Sequence, residues 1–275
     1  MTARPTLRTT LRAGGVILSA LGARTRSGVP SRRGLVVPAL LAILAGGSAA
    51  VTYAAVDGKP AAVAPSDRTA IETVVREYIL EHPEIIPEAI ERLKAKQAAA
   101  KVDEHRAALE TPYKGAWEGA AAPKVTLVAF MDYACGYCRA SLPDLARLVK
   151  DNPDLRIVYR ELPIITQGSL GAARVSQVAA DEGKFMAFHR AMYAAGNVEP
   201  ETVLKVAGQA GLDVAKSKAA IKATTDDAPI MENVRLAQAL GAEGTPLFVV
   251  GDQILNGSVG YETLKAAIDK ARTKG

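Results

Sequence analysis

Apolar positions recur first at helical spacing and then at strand spacing, and the switch divides the chain. Ile71, Val74, Val75, Tyr78 and Ile79 fall on one face of a helix that Ser66-Asp67 can cap. His82-Pro83 ends it, because a residue before proline is pushed out of the α region. A second helix is expected from Glu84, with Pro87 in its first turn and Ile86, Ile90 and Leu93 along one side. Past Leu93 the stripe is expected to fade into Gln97 and Ala100 among lysines. Short helices are marginal alone, and this stripe is too thin for the pair to bury against itself. It predicts a partner, either another copy of the chain or the main domain, with a solvated spacer as the alternative.

From Val125 the period changes. Val125-Thr126-Leu127-Val128-Ala129-Phe130-Met131 is an apolar run of the length and composition of a central strand. A helix follows from Arg139 towards Lys150, and Leu155-Arg156-Ile157-Val158-Tyr159-Arg160 alternates like a second strand. Residues 169–240 read as helical, broken near Gly196, Gly211 and Asp227-Ala228-Pro229. Leu247-Phe248-Val249-Val250 and Gln253-Ile254-Leu255 flank Gly251-Asp252 as a hairpin, and residues 261–272 close the chain with a helix. A β–α–β unit, a helical insert over about 167–240, a hairpin and a last helix predict an α/β thioredoxin fold with an inserted helical domain, preceded by an N-terminal helical extension. The Gly/Pro/Ala-rich stretches 57–66 and 111–124 mark the joints. The expected parts are a leader (1–56), a linker with a helical oligomerisation segment (57–110) and the main domain (111–275).

The charge belongs to the leader. Of the 34 Lys and Arg, seven (Arg4, Arg8, Arg12, Arg24, Arg26, Arg32 and Arg33) precede residue 57 with no Asp or Glu among them. The other 27 face 29 acidic residues, so the net +5 becomes −2 and nucleic acid is not expected as a partner. Arg32-Arg33, the uncharged stretch 34–56 and the small residues Gly46-Gly47-Ser48-Ala49-Ala50 have the layout of an export signal, cleaved or retained as an anchor. Periplasmic or otherwise exported residence follows as an expectation.

Only two cysteines occur, and they form one C-x-x-C: Cys135-Gly136-Tyr137-Cys138. A thiolate is the nucleophile in thiol chemistry, and a helix start favours it through free amide N–H groups and the positive helix end. Cys135 at the strand–helix junction therefore suits a nucleophile, Cys138 one turn on suits a buried resolving thiol, and Gly136 and Tyr137 between them tune the pair. Structural zinc needs four ligands, and a lone C-x-x-C with His82, His105 and His189 scattered elsewhere does not supply them. A two-coordinate Cu(I) relay through the thiolates remains an alternative. No cofactor is expected. His189 and Trp117 read as packed side chains.

Phe130-Met131-Asp132-Tyr133-Ala134-Cys135-Gly136-Tyr137-Cys138 resembles the active site of DsbA-family periplasmic oxidoreductases. Gly244-Thr245-Pro246-Leu247-Phe248-Val249 resembles that family's substrate-binding loop, which implies a cis Thr245-Pro246 bond beside Cys135. Glu161-Leu162-Pro163-Ile164 and the stretch 185–189 also resemble family words. Tyr78-Ile79-Leu80-Glu81-His82-Pro83-Glu84 resembles the N-terminal segment of the ScsC and Com1-like branch, some of whose members trimerise through it and act as disulfide isomerases. The resemblance implies substrate proteins bearing thiols or disulfides, a membrane redox partner and a homo-oligomer, with three copies favoured. It leaves open whether the chain isomerises disulfides or is a monomeric dithiol oxidase. Where related enzymes often bury a carboxylate, six positions before the first cysteine, this chain has Ala129. Asp132 is the expected substitute; the alternative is that it caps the turn and faces solvent.

Overall fold

The computed structural model describes residues 65–224 and 227–273; the expected leader (1–56) and the start of the linker lie outside the described residues. Two helices come first, α1 (Pro65–Glu81) and α2 (Ile85–Glu110). The main domain follows as β1 (Trp117–Gly119), β2 (Val125–Met131), α3 (Gly136–Asp151) and β3 (Leu155–Glu161). The helical insert is α4 (Gln167–Asp181), α5 (Phe185–Ala195), α6 (Pro200–Gln209), α7 (Val214–Lys222) and α8 (Ala228–Leu240). The hairpin β4 (Leu247–Val250) and β5 (Gln253–Asn256) and the helix α9 (Tyr261–Arg272) complete it. This is the expected α/β thioredoxin arrangement with its helical insert.

The sheet runs β1-β3-β2-β4-β5, with β2 and β3 parallel and the other pairs antiparallel. Both faces of the sheet are covered, which is why β2 reads as a continuous apolar run rather than an alternation. Leu127, Ala129 and Met131 face a core with Leu145, Leu148, Phe188, Met192 and Ile268. Val128 and Phe130 face a second core with Val158, Leu247, Leu236 and Leu240.

That second core corrects the expectation for the extension. The stripe on α2 does not end at Leu93: Val102 and Leu109, two turns apart, are buried in it. Apolar positions seven residues apart among charged ones are a thin signal, yet they place the end of α2 on the sheet. A buried arginine fixes it there. Arg160 on β3 donates to the carbonyls of Leu109 (3.0 Å), Thr111 (2.9 Å) and Ala108, and to Asn233 Oδ1 (2.8 Å). It thus satisfies carbonyls that a helix end leaves bare. Nearer the surface, Arg106 bonds Asp252 (2.7 Å) and the Gly251 carbonyl (3.2 Å), tying α2 to the hairpin. The first half of the extension has no such cover: Ile71, Val74, Val75, Tyr78, Ile86, Ile90 and Leu93 stand 47% to 64% exposed.

Three further differences have local causes. Residues 117–119, within the stretch expected to be a joint, form an edge strand on β3, and Trp117 packs there under Arg156, 4.8 Å from its ring centre. The insert has an additional break between α4 and α5, where Gly183 takes φ +69°. Helix α3 begins at Gly136 rather than Arg139, because Cys135 itself is the N-cap.

Replacing Arg160 by Met should lower stability to urea by about 2–4 kcal/mol, since several buried acceptors lose their donor together. Arg160→Lys should recover less than half, because one ammonium cannot serve acceptors spread around a planar fork. Equal stability of wild type and Arg160→Met would remove Arg160 from this role.

Candidate thiol–disulfide active site

The site lies where the central strand hands over to α3. Beyond β2, Asp132 is almost completely buried, at 1% exposure. Its Oδ1 accepts from the Ala134 N–H and the Ser169 hydroxyl, both at 2.8 Å. Its Oδ2 accepts from the N–H groups of Ile164 (2.8 Å) and Ile165 (2.9 Å). The residue does cap its turn, but the solvent-facing alternative is overturned. A carboxylate holding four donors can be buried where an unsatisfied one would be costly.

Cys135 follows as N-cap, at φ −80° and ψ 117°, and its sulfur accepts from the Cys138 N–H at 3.4 Å. On its other side the Cys135 thiol donates to the Thr245 carbonyl at 3.2 Å, and the Thr245-Pro246 peptide bond is cis. The structure thus brings Cys135, Cys138, Asp132, Thr245 and Pro246 together. Gly136 has open space around its Cα, and Tyr137 is 71% exposed, so the segment between the cysteines faces outward. Gly244 too has no neighbour within 4 Å of where a Cβ would stand. Both cysteines are free thiols. Cys138 is fully buried, and burial pushes its thiol well above the ordinary range. Cys135 is itself buried, but it keeps 5% of its surface exposed where Cys138 keeps none.

Behind Cys138 lies a network that sequence reasoning missed. Tyr133 donates to Glu161 Oε1 at 2.9 Å and shares a hydrogen bond with His189 Nδ1 at 3.1 Å. Ser176 donates to the same Glu161 oxygen at 2.8 Å. His189 sits among the rings of Tyr159 (4.4 Å between centroids), Tyr193 (5.0 Å) and Phe185 (5.1 Å). Burial raises Glu161 to about 8, with the Asp132 charge adding to it and the Ser176 and Tyr133 hydrogen bonds opposing. Burial, aided by the Arg190 charge, lowers His189 to about 3. The sequence signal for Glu161 was its place in the family-like Glu161-Leu162-Pro163-Ile164; in the sheet it pairs opposite Met131.

The DSBA-like thioredoxin domain family matches residues 126–269. The chain belongs to that family. A second family, the copper resistance protein ScsC N-terminal domain, matches residues 67–100. A thioredoxin-like oxidoreductase from Silicibacter pomeroyi is 39% identical, covering 57% of this chain and 91% of its own, with a TM-score of 0.54. Proteus mirabilis ScsC in a transitional conformation is 27% identical, covering 78% and 99%, at a TM-score of 0.57. Among curated proteins, the Na(+)/H(+) antiporter NhaA 1 of Salinispora arenicola is 30% identical over 150 residues, 54% of this chain. The chain spans about a quarter of the length of the curated relatives it matches (23% and 24%).

The opposite shifts of Glu161 and His189 give a pH signature. The native state resists protonating His189, so its contribution rises with pH between about 3 and 6.5 and is complete above that. Glu161 holds its proton in the native state up to about 8 but releases it near 4.5 when unfolded, so its contribution falls as pH rises between those values. From pH 6.5 to 8 only Glu161 acts, and stability should decline. Urea midpoints measured across that window should flatten in Glu161→Gln; an unchanged slope would show that Glu161 does not titrate there.

Proposed function

We propose that the chain is an exported protein thiol–disulfide oxidoreductase in which Cys135 exchanges with client sulfur and Cys138 resolves. The observation that carries this is the contrast between Cys135, capping α3 beneath the Thr245 carbonyl, and Cys138, fully buried one turn behind it. In the dithiol form, the Cys135 thiolate attacks a client disulfide, forming one S–S bond and releasing one client thiolate. A second thiolate of the client then regenerates Cys135 with the client disulfide rearranged, which is isomerisation. If Cys138 attacks instead, the client leaves reduced and the pair becomes a disulfide. Run in reverse, the same steps oxidise a client dithiol, and the pair is then reset by a membrane redox partner. The residues Asp132, Gly136, Tyr137, Gly244, Thr245 and Pro246 shape the site around this exchange. Export is supported by the composition of residues 1–56, and substrates are proteins bearing thiols or disulfides.

Isomerase use and assembly are a further part of the proposal. The exposed apolar stripe on α1 and the first half of α2 lies within the match to the ScsC N-terminal family. Burying such side chains is worth about 1.5–3 kcal/mol each, which favours a symmetric contact between copies, three being the number favoured by the resemblance.

Cys135→Ser should abolish exchange, while Cys138→Ser should accumulate mixed disulfides with clients on non-reducing gels. Trapping by Cys135→Ser instead would reverse the roles, and equal activity of both variants would end the reading. Light scattering on residues 57–275 should give an oligomer. Removing residues 66–100 should return a monomer that still oxidises dithiols but refolds a scrambled-disulfide protein more slowly. A monomer before the deletion would sink the assembly.

A further inference from the structure

A groove of about 460 Å³ runs between α3 and α5, away from the cysteine pair. Leu142, Pro143 and Ala146 form one wall, and Met186 and Ala194 the other. Three of the residues lining it each carry a buried polar atom without a partner: Arg139 Nε, Tyr193 Oη and His189 Nε2. Leaving such atoms unpaired costs free energy, so their gathering under one groove points to an occupant that offers both donors and acceptors. His189 and Tyr193 are each 1% exposed, so they form the floor.

We propose that this groove is an exosite for the client polypeptide, taking a large apolar side chain flanked by an acidic residue in the stretch beside the client cysteine. Naming the occupant a client rests on the oxidoreductase reading above; the groove itself does not. Three features select a polypeptide. First, the groove borders the cavity beside the active site: Arg139 directly follows Cys138, and Gly196 also lines the cavity that Ala134, next to Cys135, lines. A chain joined to Cys135 can continue over Gly196 into it. Second, the walls are apolar while the floor and mouth hold both kinds of hydrogen-bonding group, as a peptide with an apolar side chain requires. His189 Nδ1 is taken by Tyr133, which leaves Nε2 as the ring nitrogen available to a peptide group.

Third, the charge at the mouth is unbalanced. Arg190 is paired with Glu118 at 2.7 Å. Arg139 donates only to the Gly196 carbonyl (3.2 Å), and no carboxylate pairs with it among the described residues. A client Asp or Glu at this point would meet a guanidinium with a free Nε–H. The assignment differs from the Thr245-Pro246 loop, which touches Cys135 directly and lines no part of this groove.

The test uses the full chain with Cys135→Ser and Cys138→Ser, so that binding is read without exchange. The probe is a capped ten-residue peptide with Ser in place of its cysteine and a Leu-Glu pair beyond it, titrated by calorimetry. Changing Leu to Ser in the peptide should weaken binding by at least about tenfold. Changing Glu to Gln should weaken it about threefold, and Arg139→Gln in the protein should erase that preference. Peptide binding should also shift the Met186 methyl resonance. Equal affinity for the Leu and Ser peptides, or shifts at the Thr245-Pro246 loop with Met186 unmoved, would overturn the exosite. A Glu preference that survives Arg139→Gln would overturn the acidic part. Failure of the wild-type protein to exchange thiols with the cysteine form of the peptide, with groove binding intact, would refute the redox reading alone.

Discussion

The carboxylate of Asp132 is the point on which the reactive turn hangs. Its two oxygens take donors from three places: the turn itself through Ala134, the stretch after β3 through Ile164 and Ile165, and the first turn of α4 through Ser169. Thr166 and Ser169 close a capping box around the same helix start, so α4 enters the domain with its orphan N–H groups occupied. The strand end, the helical insert and the cysteine turn therefore share one buried anion. Removing that charge would strand four donors at once, which is a larger loss than any single hydrogen bond. Cys135 reaches the N-cap position of α3 because the residues before it are held in this way, and its sulfur then meets the Cys138 N–H and the Thr245 carbonyl from opposite sides.

A second carboxylate in the same core behaves differently for a physical reason. Glu161 has its hydrogen bonds on one oxygen, from Tyr133 and Ser176, and among the described residues no backbone N–H reaches it, while the Asp132 charge acts against its ionisation. At neutral pH it is mostly protonated and His189 is uncharged, so the aromatic cluster behind the site carries little net charge. Cys138 faces that low-polarity interior and its thiol is raised, while Cys135 has a helix start and an open loop. The division of labour between two chemically identical thiols thus follows from what each is buried against.

Much of this was legible in the sequence where the signal is local. The run from Val125 to Met131, the hairpin about Gly251-Asp252 and the last helix fall within a residue or two of their observed limits. The C-x-x-C and its position between strand and helix were equally plain. What escaped the sequence depends on partners distant along the chain. The donors to Asp132 come from 2 to 37 residues away, so its burial could not be seen from its neighbours. Arg160 reads as the polar end of an alternating strand, yet its acceptors lie 49 to 73 residues off. The early start of α3 was missed because cysteine is not among the residues that usually announce an N-cap. Val102 and Leu109 are too sparse to define a face until the sheet they cover is known.

The seating of α2 also decides what the extension can transmit. Arg160 holds its last carbonyls and Arg106 holds its flank to the hairpin, so the helix leaves the domain at a fixed angle rather than on a loose tether. Residues 91–99 of α2 still border the hairpin and α9 across a shared cavity, so at about 1.5 Å per residue only the stretch from Ile85 to Ile90, roughly 9 Å, runs clear of the domain. The helical run is interrupted at His82-Pro83-Glu84, where backbone hydrogen bonds carry the chain from one helix to the next and the Tyr78 and His82 rings lie 4.6 Å apart. Joining copies through the exposed stripe would therefore set the separation of their active sites by a rigid rod and their relative tilt by one short joint. Under the proposed assembly a client would meet thiol pairs whose spacing that rod sets, and the fixed direction in which the rod leaves the domain comes from two arginines rather than from the helix alone.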